Sequence, residues 1–582
     1  MASLLPLALI AAAVLLLRRI RPSFDLAVVL EPLEGRAAPI ILGAISAAVT
    51  WWMWGSLSAT PYVHDEVALL LQARIFAAFR WASPSPPLPE FFEQFHVFVT
   101  PSLAPKYPPG HALLLVPGVW LGVPGLMSIL LTGLTGGMLF VLARRFSNGV
   151  VALVAWFIWL VAPAALRFRP SYFSEVTTGA IWLVAWWTLL RYRETSQRRW
   201  LVALGALVAW GGITRPVTMI AFAIPVGAVV LWTVWKRRAW IDVAAALPLS
   251  LAICAIVPLW GHSVLGEWGK NPYAYYQTLY FPVENPGLGV DSTPPLRALP
   301  ADMEKFNEYA RPMHAQHTAA LLPNVLKARL RELKRGMWGD RGFLYLLAIL
   351  GALVMPLPVA LALGTCVLVV IGYLWIAHQP YWLIYYLELF PVLAFLSALG
   401  LWQFVTLVGE MAARRVRRAV PVNLPLLATC VALLAWMTPN AVESFSLWHV
   451  RLATAPRYHE AFQQLIAKIP DPRAIVFVRY APNADVHLSL TNNEPDPASA
   501  RVWAVHDLGE ADLKLLQAAP DRTPYLYEEL PDRHVLRPFP VPDGWRSVLG
   551  RRATGTDDGR RRTGGEQPAA RSQSASSGQG GE

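Results

Sequence analysis

Long apolar runs constrain this chain more than any other feature. Of its 582 residues, 55% are hydrophobic and only 15% are charged, whereas soluble domains carry about 25% charged residues. A run of about 20 apolar residues crosses hydrocarbon as a helix, because a helix pairs all its backbone polar groups internally. The runs lie near 4–17, 38–57, 110–143, 150–166, 176–190, 200–213, 217–235, 240–260, 341–355, 356–377, 383–405 and 423–440. They predict an all-α polytopic membrane bundle of about 11–13 transmembrane helices.

Basic residues lie in short clusters between the apolar runs, so the net charge of +12 indicates membrane orientation rather than nucleic-acid binding. The clusters are Arg18-Arg19, Arg144-Arg145, Arg191–Arg199, Lys236–Arg238 and Arg414–Arg418. All of them fall on one side if 110–143 makes one net crossing, with a bent or re-entrant start and a break at Val123-Pro124-Gly125. The long loops 58–109 and 261–340, and everything after residue 441, then lie on the opposite face.

Changes in composition divide the chain into four parts. Residues 1–37 are predicted to form an N-terminal membrane helix and a basic loop, and 38–440 the transmembrane domain. Residues 441–548 are predicted to form a small α/β module outside the cytoplasm, with strands at 474–480, 501–505 and 524–527 and a helix at 510–518. The last part, 549–582, has almost no apolar residues and is predicted to be a disordered tail.

The acidic pair Asp65-Glu66 follows an early apolar run, in the sequence His64-Asp65-Glu66. Charged side chains near a bilayer cost about 2.5–3.5 kcal/mol each at the helix centre, so those that are retained usually serve function. Asp65 is a favoured N-cap residue for the helix that follows. It is equally suited to act as a general base on the outer face.

A second signal, Lys106-Tyr107-Pro108-Pro109-Gly110-His111, lies where a loop meets an apolar run. Pro-Pro starts helices and Lys106 can snorkel to the interface. A cation at this position can also hold the phosphate of a lipid. Arg215, between two apolar runs, is either an interfacial anchor or a second phosphate ligand.

Other polar residues expected on the outer face complete the predicted substrate pocket. Arg169 and Glu175 follow one apolar run, and Tyr385-Tyr386 precede a proline-containing run. The tyrosines are typical either of an interfacial aromatic belt or of a sugar pocket. The three cysteines lie in apolar runs without metal-ligand spacing, so no metal site is predicted. The pair Asp65-Glu66 could alternatively hold a divalent cation, but the sequence shows no second set of ligands.

Together, these motifs resemble GT-C-type bacterial membrane glycosyltransferases. The relatives are the protein O-mannosyltransferases, the aminoarabinose transferases and the RgtA/B/C/D-like group. The resemblance rests on Asp65-Glu66, on the Lys106–Gly110 segment and on Tyr385-Tyr386 with Pro391. It covers about residues 38–440 and marks that part as a GT-C-like catalytic domain.

This resemblance implies an enzyme of the bacterial inner membrane that uses a polyprenyl-phosphate sugar as donor. Transfer would take place on the periplasmic face with inversion at the anomeric carbon and Asp65 as base. Glu66 would assist Asp65, and Lys106 and Arg215 would bind the donor phosphate. The acceptor would be a lipid, a glycan or a protein. Two alternatives stay open, a transporter or flippase of a lipid-linked saccharide and a scaffold of an envelope assembly machine.

Overall fold

A computed structural model describes residues 4–17, 26–415, 423–454, 456–530 and 533–540. Arg18-Arg19, part of the Arg414–Arg418 cluster and the predicted tail 549–582 lie outside the described residues. Within them the structure is mainly helical, with a small sheet near the C-terminus. The predicted fold, an α-helical membrane bundle with a small C-terminal α/β module, is confirmed.

The described part of the chain contains twenty-two α-helices, four short 3₁₀ helices and seven strands. The helices are α1 Leu5–Leu17, α2 Leu26–Glu34, α3 Ala37–Trp54, α4 His64–Ala77, α5 Gly110–Trp120, α6 Gly125–Phe146, α7 Gly149–Leu160, α8 Pro163–Phe168, α9 Glu175–Thr195, α10 Arg198–Gly212, α11 Pro216–Arg237, α12 Trp240–Cys254, α13 Ile256–Leu265, α14 Pro272–Tyr280, α15 Ala301–Ala315, α16 Leu322–Trp338, α17 Gly342–Val354, α18 Leu357–Tyr373, α19 Phe390–Arg415, α20 Asn423–Thr454, α21 Arg457–Ala467 and α22 Asp512–Ala518. The strands are β1 Ser83–Pro84, β2 Val97–Phe98, β3 Ser102–Pro105, β4 Ala474–Arg479, β5 Val502–His506, β6 Thr523–Glu529 and β7 His534–Pro538.

Five segments of the described chain are individually long and apolar enough to cross a membrane. They are Ala37–Trp54, Gly125–Phe146, Pro216–Arg237, Trp240–Leu265 and Leu383–Met411. The pair α16 and α17, bent by 104°, makes a sixth if the two are one span, and four further apolar helices are shorter. Length and composition thus support a multi-pass protein with fewer full-length spans than the apolar runs predict.

The apolar segment 110–143 forms two helices that are separated at residues 121–124. The N–H of Gly125 donates to the carbonyl of Leu57 over 2.8 Å, and the hydroxyl of Ser58 donates to the carbonyl of Gly122 over 2.6 Å. The end of α5 therefore lies beside the end of α3, and α6 runs back along α3. This arrangement agrees with one net crossing that has a re-entrant start.

Small residues let the membrane helices approach closely. A Cβ added at Gly400 of α19 would lie 1.8 Å from the carbonyl oxygen of Leu347 on α17. One added at Gly43 of α3 would lie 2.9 Å from the carbonyl oxygen of Gly133 on α6. Close backbone approach of this kind supplies the packing that holds helices together where the surroundings are themselves apolar.

The C-terminal module contains a four-stranded sheet in the order β5-β4-β6-β7. Strand β4 is parallel to β5 and β6, and β7 is antiparallel to β6. The sequence predicted strands at the positions of β4, β5 and β6 and a helix at α22, without their direction, and it missed β7. The carboxyl ends of the three parallel strands meet at one edge of the sheet, which is where open α/β sheets bind ligands.

The module packs directly on the loops 58–109 and 261–340 of the membrane domain, which are called the outer loops after their predicted side. Phe92 of loop 58–109 meets Trp503 of β5 edge to face, with ring centroids 5.1 Å apart. The imidazole Nε2 of His506 lies 2.8 Å from the carbonyl oxygen of Glu93, and the Lys305 ammonium donates to the carbonyl of Ala481 over 3.1 Å. One hydrophobic core therefore runs from the outer loops into the sheet.

Candidate active site

Helix α4 begins at His64, and the side chain of Glu66 caps it. The backbone N–H groups of Tyr62 and Val63 donate to Oε2 of Glu66 over 3.1 and 3.4 Å. Oε1 of Glu66 accepts the N–H of Tyr172 over 2.9 Å. The capping function considered for Asp65 therefore belongs to Glu66, which leaves Asp65 free to face the outer loops. Burial raises the pKa of Glu66 to about 7, although the three hydrogen bonds that the carboxylate accepts act to lower it.

Asp65 is the accessible member of the acidic pair. Its side chain is 37% exposed, whereas the side chains of His64 and His96 on either side are 5% and 9% exposed. Oδ1 accepts the hydroxyl of Tyr107 over 2.5 Å and lies 3.6 Å from Nε2 of His96. Oδ2 lies 3.3 Å from Nε2 of His64. The two carboxylate oxygens thus face different neighbours.

Opposing effects set the protonation of this group. Burial acts to raise the pKa of Asp65, but the imidazoles of His96 and His64 and the hydroxyl of Tyr107 outweigh it. The result is a pKa well below the ordinary value. Burial in turn lowers the pKa of both histidines. Asp65 is therefore an ionised carboxylate at neutral pH, stabilised by the two imidazoles and the tyrosine hydroxyl around it.

A short hairpin brings Lys106 to the same place. Strands β2 and β3 pair antiparallel, and the N–H of Lys106 donates to the carbonyl of His96 over 2.9 Å. The side chain of Gln72 on α4 donates to the carbonyl of Tyr107 over 2.7 Å. Helix α4 and the hairpin are thereby fixed relative to each other, with Asp65, His96 and Lys106 around one point.

Lys106 is 3% exposed, and tyrosine rings surround its ammonium group. It lies 4.7 Å from the ring centroid of Tyr273, 4.9 Å from that of Tyr276 and 5.5 Å from that of Tyr107. Among the described residues no carboxylate lies within ion-pair distance of this ammonium. Burial lowers the pKa of Lys106 to about 8, with Asp65 and Glu284 acting in the opposite direction.

Arg215, in contrast, is neutralised by two buried carboxylates. It forms a salt bridge with Glu175, and its Nε lies 3.6 Å from Oε1 of Glu388. It also donates to the hydroxyl of Tyr373 over 2.6 Å. The structure thus brings Arg215 and Glu175 together. Their network includes a further carboxylate, Glu388, which was not among the residues predicted from the sequence.

Tyr385 lies between the Arg215 network and the Asp65 site. Its ring centroid is 5.0 Å from that of Tyr373 and 5.9 Å from the Arg215 guanidinium carbon. It also lies within electrostatic reach of Asp65 and Tyr273. Tyr386 turns away from the site, with its hydroxyl 3.0 Å from Nε2 of His378 and its side chain buried.

Two predicted pocket residues are buried connections between helices. His111 contacts the hydroxyl of Thr177 over 2.8 Å through Nδ1 and the carbonyl of Tyr172 over 2.7 Å through Nε2. Since Tyr172 also donates to Glu66, His111 and Glu66 hold the same peptide segment. Arg169 donates to the carbonyls of Ala165 and Leu160 and stacks on Trp159.

His64, Asp65 and His96 offer three ligand atoms that lie within 4.8 Å of one another. This set fits a divalent cation in ligand type. Histidine ligands usually donate their second nitrogen to a hydrogen-bond partner. Here, Nδ1 of both histidines is buried without a partner among the described residues. The arrangement therefore fits hydrogen bonding of Asp65 better than it fits a bound metal.

Residues 122–262 match the family described as dolichyl-phosphate-mannose-protein mannosyltransferase. No curated protein matches the sequence. Among solved structures, ArnT from Cupriavidus metallidurans bound to undecaprenyl phosphate is similar, with a TM-score of 0.50, 14% identity, and coverage of 88% of this chain and 95% of that chain. Arabinosyltransferase EmbB from Mycobacterium smegmatis gives a TM-score of 0.42 at 11% identity, with 82% and 48% covered. The predicted resemblance to GT-C-type membrane glycosyltransferases is confirmed.

Proposed function

We propose that this protein is a membrane glycosyltransferase that transfers a sugar from a polyprenyl-phosphate donor to an acceptor hydroxyl on the extracytoplasmic face. One observation carries the proposal most directly. An accessible carboxylate, Asp65, and a buried cation without an ion-pair partner among the described residues, Lys106, share one cluster of tyrosines. Glycosyl transfer from a phosphate needs both, a base for the incoming hydroxyl and a cation for the departing anion.

Asp65 takes the proton of the acceptor in this mechanism. Oδ1 is occupied by Tyr107, so Oδ2 is the oxygen that receives the proton. A carboxylate with a strongly lowered pKa is a weak base. It accepts a proton only when bonding to the sugar carbon has made the acceptor hydroxyl acidic. Bonding of the acceptor oxygen to the sugar carbon therefore runs ahead of proton transfer.

Lys106 holds the donor phosphate. The positive charge of protonated Lys106 is balanced by the negative charge that the departing phosphate gains. The tyrosine rings around the ammonium exclude water, which strengthens its attraction to the phosphate. Removal of one such donor typically lowers the rate by about 10²–10³. Arg215 is already paired with Glu175 and Glu388, so it contributes by holding Tyr373 and Tyr385 in place.

The bonds balance without a cofactor. The acceptor oxygen forms a bond to the anomeric carbon as the bond from that carbon to the phosphate oxygen breaks. The proton of the acceptor goes to Asp65, and the electron pair of the broken bond leaves with the phosphate, which is an anion at neutral pH. Attack opposite the leaving group inverts the anomeric configuration. Glu66 acts as a positioning residue, because it fixes the start of α4.

A transfer assay with the purified protein in lipid nanodiscs tests the proposal. The donors are undecaprenyl-phosphate hexoses and pentoses, and the acceptors are supplied as an extract of envelope glycolipids and glycans. We expect one molecule of undecaprenyl phosphate to be released for each glycosylated product, with inverted configuration by NMR. Movement of the lipid-linked sugar across a vesicle bilayer without covalent transfer would instead establish the transporter alternative.

A further inference from the structure

The loop that follows β4 in the C-terminal module reaches the proposed catalytic site. Residues 480–501 connect two parallel strands, and within them the structure has no helix or strand. Parallel strands are usually joined through a helix, and long irregular loops in compact domains are usually functional. Joining β4 to β5 does not by itself require a loop of this length without a helix.

The loop is held in a defined shape by its own hydrogen bonds. The hydroxyl of Tyr480 accepts the N–H of Leu490 over 2.8 Å, and Oδ1 of Asp485 accepts the N–H of His487 over 2.9 Å. The hydroxyl of Thr491 contacts the carbonyl of Glu93 over 3.4 Å, which ties the loop to the membrane domain. These hydrogen bonds define the path of the loop, and its tip at 485–487 lies against the membrane domain.

His487, at this tip, completes an aromatic wall beside Asp65. Its ring centroid lies 5.7 Å from that of His64, 5.2 Å from Tyr309, 6.0 Å from Trp382 and 6.1 Å from Phe306. These rings come from three separate segments of the membrane domain: His64 from α4, Phe306 and Tyr309 from α15, and Trp382 from the segment between α18 and α19. The rings of Tyr309, Trp382 and His487 are partly exposed and form a surface that can bind a ligand, whereas Phe306 and His64 are buried.

The wall lies on the side of Asp65 that is not used by Lys106. Oδ1 faces Tyr107 and His96 on the hairpin that carries Lys106. Oδ2 faces His64, which is the residue that His487 contacts. If Lys106 holds the donor phosphate, the acceptor that gives its proton to Oδ2 approaches along the wall.

We infer, on the basis of the proposed function, that the loop 481–492 with His487 forms the acceptor subsite and that the acceptor is a carbohydrate hydroxyl. Aromatic faces bind the C–H surface of a sugar ring, and the exposed carboxylate of Asp485 accepts its hydroxyl groups. A protein acceptor in extended form would favour a free sheet edge. The edge strand β5 is instead packed against residues 89–93, and the other edge strand, β7, lies on the opposite side of the sheet from β5.

Acceptor kinetics of the full chain in nanodiscs test this inference, with undecaprenyl-phosphate sugars as donors. The acceptor probes are octyl hexosides and a short Ser/Thr peptide. We expect transfer to an octyl hexoside, and a KM for that acceptor about tenfold higher in His487→Ala, because an aromatic contact is removed. The KM for the donor is expected to stay the same. His487→Phe keeps the ring and is expected to restore most of the affinity.

His534→Ala is the matched control, since His534 lies on β7, at the edge of the sheet remote from β5. If His487→Ala fails to fold, Asp485→Asn serves instead, because it keeps the acceptor for the His487 N–H and removes only the charge. An unchanged acceptor KM in both variants, or transfer to the peptide alone, overturns the inference. Absence of transfer to every acceptor by the wild type overturns the proposed function itself.

Discussion

The titration of Lys106 gives a prediction that depends on the proposed site directly. Burial among tyrosine rings lowers the pKa of its ammonium to about 8 from 10.5. In the free enzyme the cation that binds the donor phosphate is therefore lost as the pH rises through about 8. At about pH 9 only roughly one tenth of the protein has a charged Lys106, and kcat/KM for the donor is expected to fall about tenfold per pH unit above the pKa.

The variant Lys106→Arg separates this residue from other titrating groups. Arginine stays protonated throughout the accessible range, so the alkaline fall in kcat/KM is expected to disappear even if the maximal rate is lower. Lys106→Met is expected to lose about 10²–10³ in rate at neutral pH. Lys270→Arg is the matched control, because Lys270 is an exposed lysine that is paired with Glu267 over 2.8 Å.

The assay is the initial rate of undecaprenyl-phosphate release at limiting donor, measured from about pH 6 to about pH 10, which brackets the pKa of Lys106 on both sides. A wild-type profile that stays flat through this range would refute the assignment of Lys106 as phosphate ligand. The same refutation follows if Lys106→Arg keeps the alkaline fall unchanged.

Three further predictions concern the residues around Asp65. Arg215→Gln leaves Glu175 and Glu388 unpaired and should lower the free energy of unfolding by about 3–5 kcal/mol. Thermal unfolding in detergent measures this loss, and adding Glu175→Gln is expected to restore part of the stability. Tyr107→Phe removes a hydrogen bond from the Asp65 carboxylate, so its pKa rises and the acid limb of kcat against pH moves upward; an unchanged limb contradicts this. Chelation of divalent cations should leave the transfer rate unchanged, and a loss that Mn²⁺ restores would reveal a metal.

Much of the membrane architecture could be predicted from the sequence because hydrophobic length determines it locally. The break between α5 and α6 falls at Val123-Pro124, where the sequence places a turn, and α6 runs back along α3 as a single net crossing of 110–143 would require. The strands of the module were likewise visible as short apolar runs. Strand β7 was missed because its residues His534–Pro538 are not fully buried and include charge.

The candidate site was only half visible, for a physical reason. Asp65 and Lys106 stand out because charge is costly beside apolar runs. Glu388 and His96 carry no local signal, and their importance comes from long-range contacts with Arg215 and Asp65. His487 belongs to a module that the sequence analysis treated separately, so its position beside His64 depends on how two parts of the chain pack.

The central claim is that the Asp65 carboxylate accepts the proton of the acceptor hydroxyl. The most direct measurement is single-turnover transfer by Asp65→Asn, compared with Asp291→Asn on the outer loop, after both proteins are shown to be inserted and to bind undecaprenyl phosphate. The account predicts that Asp65→Asn binds the lipid normally and loses about 10²–10⁴ in the transfer rate, while Asp291→Asn stays at the wild-type rate. Transfer by Asp65→Asn at the wild-type rate would contradict it.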